Sequence, residues 1–412
     1  MNRKLFLRTL PVLAGWVAAL LRPGSLPAAE APCWIPTWAT AVQLVEPNNL
    51  PPAPGFAGVT LRQRFRISIG GRAVRVRFSN QYGRTPLTID GAEIARAATA
   101  DGIEPGSSRP VLFLGRRQVM IEPGAFVVSD PVDFPVDEMA DLAVTLGLRE
   151  APGEVTGHPG SRTTSYFAYG ATVDAPALPE AKKVDRWYFL SGVDVAALPG
   201  AAAVAVLGDS ITDGRGSTTN GNDRWPDILS RRLRANPATA QVAVLNQGIG
   251  GGRVLRDGLG PSALSRLDRD VIAQPGVRWL IILEGVNDLG GAVGARQRGE
   301  PHATADDLIA AYEQIIRRAH DHGIKVYGAT IMPFEGFSAY HTPESEAERR
   351  KVNDWIRTSG RFDAVIDFDA VARDPANPGR LSAATDGGDH LHLSAAGYRI
   401  IGESIDLKLF EP

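Results

Sequence analysis

Apolar and polar positions along this chain change their period once, near residue 200. Ahead of that point they alternate in steps of two. "LRQRFRISI" (61–69) puts Phe65, Ile67 and Ile69 on one face, and "RAVRVRFSN" (72–80) does the same with Val74, Val76 and Phe78. "DLAVTLGL" (141–148) repeats the pattern with Leu142, Val144, Leu146 and Leu148. A period of two marks half-buried strands. Gly70-Gly71 between the first two runs predicts a two-residue hairpin. Glycine and proline punctuate the rest of 32–180 and no long helical pattern interrupts it, so this stretch reads as an all-β sandwich. The Pro/Ala-rich "DAPALPEAKK" (174–183) leads into a connector expected over 181–200.

From Ala201 short apolar runs alternate with helical patterns. "AAVAVL", "QVAVLN", "RWLIILE", "KVYGATI" and "AVIDFD" read as strands covered on both faces. Trp225, Ile228, Leu229 and Leu233 share one helix face, as do Leu308, Ile309, Tyr312, Ile315 and Ile316. Thr304 is placed to cap the second helix with Asp307 in its first turn, Gly323 to close it, and a last helix is expected from about Ser394 to Leu409. Five strands alternating with helices predict a doubly wound parallel sheet in a three-layer, flavodoxin-like α/β/α unit over 201–412, with strand order 2-1-3-4-5.

In such a sheet ligands bind beyond the carboxyl ends of the strands, and neighbouring strands lie ~4.8 Å apart. The loops after the first three strands therefore share one rim. They carry Gly208-Asp209-Ser210, the glycine cluster Gly248–Gly252, and Asn287-Asp288. The segment after the fifth strand contains "DGGDHLHLS", with Asp389 and His392 three apart. Ester hydrolysis needs a nucleophile, a base and donors for an oxyanion. Ser210 supplies the hydroxyl, His392 the base, and Asp389 a partner that holds the other ring nitrogen. The Ser210 N–H, the Gly251 N–H and the Asn287 amide can converge on the oxyanion. Asp209, directly before the serine, is read as holding the loop through backbone N–H groups, and Trp225 as core.

These residues resemble the four blocks of the SGNH/GDSL hydrolase superfamily: "GDSITDG", "GIGGG", "GVND" and "DHLH". The resemblance implies Ser210, Asp389 and His392 as catalytic triad and Ser210, Gly251 and Asn287 as oxyanion hole. Ile follows Ser210 where the name-giving motif has Leu, and Gly252 stands where many members have Asp or Asn. "GDSITDGRGSTTNGNDRWPD" with a β region ahead of it is similar to the branch containing arylesterases and polysaccharide acetylesterases. The expectation is a serine esterase for short acyl, chiefly acetyl, esters on a small molecule or polysaccharide. A lipase, a lysophospholipase or an O-acetyltransferase would use the same triad. A non-catalytic carbohydrate-binding protein is the alternative of another class.

Asp389, His390 and His392 would also suit a metal, but no third His or further carboxylate accompanies them, and no metal or organic cofactor is expected. "GIGGGR" lacks the last glycine of a dinucleotide loop. "HPGSRTTSYFAYG" (158–170) is read as a solvent-facing loop, with reach to the active-site rim as the alternative. His302, His320, His322 and His341 are read as surface residues.

A net charge of -2, with 44% hydrophobic and 22% charged residues, gives no reason to expect nucleic acid or an anionic membrane as partner. The single cysteine, Cys33, excludes an intrachain disulfide. Arg3, Lys4 and Arg8, an apolar Leu10–Leu21 and Ala28-Ala29 read as an export leader over 1–29, with "NRKLFLR" close to the twin-arginine pattern. The expectation is a periplasmic or extracellular protein without an integral membrane segment once the leader is removed.

Overall fold

The computed structural model describes residues 33–411, so the expected leader lies outside the described residues. Two antiparallel sheets face each other in the N-terminal part. One runs in the order Lys182–Val184, Ser165–Tyr169, Val59–Arg66, Asp141–Leu148, Gly91–Arg96, Arg109–Val111. The other runs Trp34–Ala39, Leu190–Ala196, Val74–Ser79, Phe126–Val128. The alternating positions meet between them: Phe65, Val144 and Leu146 from the first sheet join Val74, Val76 and Phe78 from the second in one apolar core.

Two expectations are corrected. Gly70-Gly71 is not a hairpin, because the strands on either side of it belong to different sheets. A Cβ on Gly70 would lie 2.5 Å from the Val136 carbonyl oxygen and one on Gly71 2.7 Å from the Val195 side chain. The glycines let the chain cross between sheets under close backbone packing. The segment 181–200 is not a connector either. Its Leu190–Ala196 is an interior strand of the four-stranded sheet, paired on both sides.

The C-terminal part holds the five parallel strands Ala202–Gly208, Val242–Gly248, Val277–Leu283, Lys325–Ala329 and Ala364–Ile366, in the spatial order second-first-third-fourth-fifth. Helices Trp225–Ala235, Ala305–His320, Pro343–Thr358 and Ala395–Ser404 flank them and bury their apolar faces in the same core. Thr304 caps the second of these, its hydroxyl accepting from Asp307 N while the Asp307 carboxylate accepts from Thr304 N. The last helix is shorter than its apolar pattern. It stops at Ser404, Ile405 turns extended, and Asp406 caps a separate turn, Leu407–Phe410.

The β part also covers the parallel sheet. Ala203, Ala243 and Leu245, from the first and second parallel strands, belong to the sandwich core, and Val244 N donates to Ser68 Oγ. Cys33–Pro412 accordingly forms one compact unit. Among the described residues no helix is long and apolar enough to cross a membrane.

Candidate active site

The first parallel strand ends at Gly208, and Ser210 opens a single helical turn, Ser210–Asp213. Gly208 lacks the Cβ that would collide with Thr212 Oγ1 at 2.1 Å, which lets the turn fold back tightly on the strand. Asp209 caps it, Oδ1 accepting from Ile211 N at 2.8 Å, in the loop-holding role read from the sequence. As first residue of the turn, Ser210 has no intrahelical acceptor for its N–H.

The structure brings Ser210, His392 and Asp389 together. Ser210 Oγ lies 2.9 Å from His392 Nε2, and His392 Nδ1 lies 2.7 Å from Asp389 Oδ2. Asp389 Oδ1 meanwhile accepts from Leu391 N and His392 N, so one carboxylate sets both the turn and the ring. Burial alone would raise the Asp389 pKa, but the bonds from His392 and Leu391 outweigh it and hold the group below its ordinary value. His392 is 9% exposed. Burial pushes its pKa down, Asp389 resists, and the charges of Arg215 and Arg162 push it lower still. A base that is neutral near pH 7 and hydrogen-bonded to a hydroxyl can take that proton. His390 faces elsewhere, its Nδ1 2.5 Å from Asp386 Oδ2.

The next two loops carry Gly251 and Asn287. Gly251 turns with φ +71°, and the neighbouring Gly252 packs where a Cβ would come 3.4 Å from Asp209 Cα. Gly252 N is bonded to Ile249 O, so it is not free for a substrate. Asn287 Nδ2 donates to Gly252 O at 2.8 Å, and Asn287 Oδ1 accepts from Tyr340 OH at 2.9 Å. This fixes the amide orientation and leaves one N–H over. Asp288 holds the glycine loop from the other side through Val254 N and Leu255 N.

Four features escaped the sequence reading. Tyr340, which orients Asn287, sits in the long segment after the fourth strand, where no periodicity marks it. Arg266 is almost fully buried and ties three loops from below. It donates to Gln247 O and Gly208 O at the ends of two strands, and to Glu284 Oε1 beside the third. Around it burial and mutual repulsion raise Asp209 and Glu284 well above the carboxylate range, and burial pushes Asp288 up to about 6.

The remaining two come from the β part. His158 is buried, not solvent-facing, because Thr156–His158 and Ser165–Tyr169 are paired strands whose Ser and Thr residues disguise the alternation. His158 Nδ1 lies 2.7 Å from Ala41 O and Nε2 2.9 Å from Asp213 Oδ1, which joins the β part to the turn that begins at Ser210. Arg162, with φ +51°, places its guanidinium 3.8 Å from Asp213 Oδ2, while its carbonyl accepts from Asn220 N. The alternative held for 158–170, reach to the active-site rim, is therefore what the structure displays. His302, His320 and His322 lie outside this cluster, bonded to Arg296, Asp363 and the Arg318 carbonyl in turn, and His341 packs against Phe334.

Residues 206–400 match the model of the GDSL-like Lipase/Acylhydrolase family. No curated protein matches the chain. Among solved structures, the chain is similar to a lipase/acylhydrolase from Enterococcus faecalis, with 22% identity over 49% of this chain and 92% of that one and a TM-score of 0.38. It is also similar to an acetyl xylan esterase from Geobacillus stearothermophilus, with 21% identity over 51% of this chain and 94% of that one and a TM-score of 0.39. Over residues 206–400 the chain thus carries a GDSL-like lipase/acylhydrolase domain, and with it the machinery class of a carboxylic ester hydrolase.

Proposed function

We propose that this protein is an exported serine esterase that removes short acyl groups, chiefly acetyl, from a carbohydrate alcohol. The relay from Ser210 Oγ through His392 to Asp389, at 2.9 and 2.7 Å, carries the reading. In it Ser210 Oγ attacks the ester carbonyl as His392 Nε2 takes its proton, and Asp389 stabilises the imidazolium that forms. The Ser210 N–H, the Gly251 N–H and the remaining Asn287 N–H receive the oxyanion. His392 returns the proton to the departing alcohol. Water, activated by the same ring, then attacks the acyl-serine and frees Ser210. None of these steps calls on a metal or cofactor. A cleft whose wall includes Asp213 and Gly250, lined by Glu46, Asn49, Thr164 and Asp185 among others, supports a hydrated alcohol over a fatty chain.

The test is turnover of p-nitrophenyl acetate, butyrate and octanoate, wild type beside Ser210→Ala, with EDTA present. Rates that survive EDTA, disappear with Ser210 and fall with chain length support the reading. Preference for octanoate would move it to a lipase, and acyl transfer to an added sugar to an acetyltransferase. No turnover of any ester would favour a binding protein.

A further inference from the structure

Arg266 is 2% exposed and stands on the short helix Ala263–Leu267, which follows the second parallel strand. Each terminal nitrogen of its guanidinium carries two N–H groups, and all four are used. Nη1 donates to Gln247 O and Asp270 Oδ2, and Nη2 to Gly208 O and Glu284 Oε1. The fork thus meets three segments whose continuations carry the three oxyanion donors. Gly208 lies two residues before Ser210, Gln247 four before Gly251, and Glu284 three before Asn287.

The register of the first strand ends at Gly208, opposite Gly248 and Leu283. Beyond that point the ladder of the sheet no longer sets how far apart the loops stand. A planar guanidinium, with its nitrogens in fixed relation, can do so. Two pairwise bonds assist it, Ile249 N to Gly208 O and Asn287 Nδ2 to Gly252 O.

The fork is itself fixed from the β part. Past Leu267 the helix widens into a turn closed by a bond from Ala273 N to Asp268 O, five residues apart, at 2.7 Å. Wide turns of this kind recur at functional sites. Asp270, inside the turn, is shared by two arginines. Its Oδ2 accepts from Arg266 and from Arg269 Nη2, and its Oδ1 from Arg269 Nε at 2.6 Å. Arg269 then reaches the β part, Nη1 donating to Tyr82 OH at 3.0 Å and Nη2 to Val42 O at 3.1 Å. Polar contact is therefore continuous from the β part through Arg269, Asp270 and Arg266 to the strand ends.

We infer that Arg266 is the positioning residue of the oxyanion hole and that the β part sets it through Arg269 and Asp270. The inference rests on the serine-esterase reading above and gives the β part a share in catalysis through geometry alone. Arg266 acts through the Ser210, Gly251 and Asn287 donors. Its effect falls on where they stand when charge develops on the carbonyl oxygen, so it belongs in kcat and not in substrate affinity.

The experiment measures kcat and KM for p-nitrophenyl acetate, with melting temperatures, in wild type, Arg266→Lys and Arg269→Met. Lysine keeps a positive charge against Asp270 and Glu284 but has no fork. A ~1 Å misplacement in an active site can cost ~10²-fold, so Arg266→Lys should lower kcat about 100-fold with KM within about twofold. The Arg269 side chain is 29% exposed, so Met there spares the core and carries the test should Arg266→Lys fail to fold. Arg269→Met cuts both contacts to the β part and should lower kcat about 2- to 10-fold, again with KM little moved. That cost should shrink in an Asn287→Ala background, where one of the positioned donors is already gone. Wild-type kcat in folded Arg269→Met, a loss carried by KM, or a loss of full size beside Asn287→Ala would overturn the inference and spare the esterase. Absence of p-nitrophenyl acetate turnover in the wild type would overturn both readings.

Discussion

Tyr340→Phe isolates the part of catalysis that depends on how one amide is turned. The Tyr340 hydroxyl donates to Asn287 Oδ1 at 2.9 Å, Asn287 Nδ2 donates to Gly252 O at 2.8 Å, and the Asn287 side chain is buried. Turning the amide over would set its oxygen against the Gly252 carbonyl and its NH2 against the Tyr340 oxygen. Removing the hydroxyl leaves only one of these two anchors. The net value of such a bond is ~0.5–1.5 kcal/mol, which corresponds to about 2- to 10-fold in rate. The ring itself stays. It packs over Gly290, where a Cβ would fall 2.2 Å from the Tyr340 ring, and Phe preserves that contact. Steady-state hydrolysis of p-nitrophenyl acetate should show kcat reduced about 2- to 10-fold with KM little moved. Asn287→Ala, which removes the donor, should cost ~10²–10³. Adding Tyr340→Phe to Asn287→Ala should then cost nothing further, because the group it orients is gone. A second loss of equal size in that background would refute the reasoning and put Tyr340 on the substrate or in the stability of the fold.

Three other outcomes are expected. Because burial depresses the His392 pKa and the base must be neutral, the acid limb of kcat/KM should lie below the ordinary histidine value of 6.5, so a limb above 6.5 in a pH–rate profile would contradict the site electrostatics. Asp209, Glu284 and Asp288 have folded pKa values raised by burial, so the folded state holds more protons than the unfolded one above about pH 4. Their contribution to stability is greatest at low pH and declines as pH rises through the folded values, about 6 for Asp288. Asp209→Asn keeps an acceptor for Ile211 N and removes a charge, so its melting temperature relative to wild type should climb from pH 5 to pH 8, and a flat difference would count against the raised value. His158→Leu leaves Asp213 Oδ1 buried without its hydrogen-bond partner, and should cost ~1–3 kcal/mol in denaturant unfolding. A loss under 1 kcal/mol would show that the His158–Asp213 contact does not hold the two parts together.

Much of this molecule is local in origin, and that part was legible. Each parallel strand is a short apolar run, and each loop that follows one carries its chemistry as adjacent residues: Asp209-Ser210, Gly251-Gly252, Asn287-Asp288. Asp389 and His392 are three apart, so their geometry is a property of one turn. Strand order followed from the flavodoxin-like alternation of strands and helices, and it set those loops on one rim. What the pattern could not decide was pairing between distant segments. Gly70-Gly71 looked like a hairpin because a hairpin and a crossing between sheets ask for the same small residues. The segment 181–200 looked like a linker because Gly192 and Asp194 interrupt the apolar pattern of Leu190–Ala196, and its partners lie more than a hundred residues earlier in the chain.

The same limit divides the site. The sequence by itself singled out Ser210, His392, Asp389, Gly251 and Asn287 as candidates, since these residues are marked by neighbours in the chain. Only the tertiary structure brought His158 and Arg162 to Asp213, Tyr340 to Asn287, and Arg266 beneath three strand ends. His158 and Asp213, Tyr340 and Asn287, and Arg266 and Gly208 lie 55, 53 and 58 residues apart in the chain. A single buried polar residue has no periodicity by which to be recognised. Its role is set by which acceptor burial leaves without water, and that is decided when the two parts of the chain close on each other.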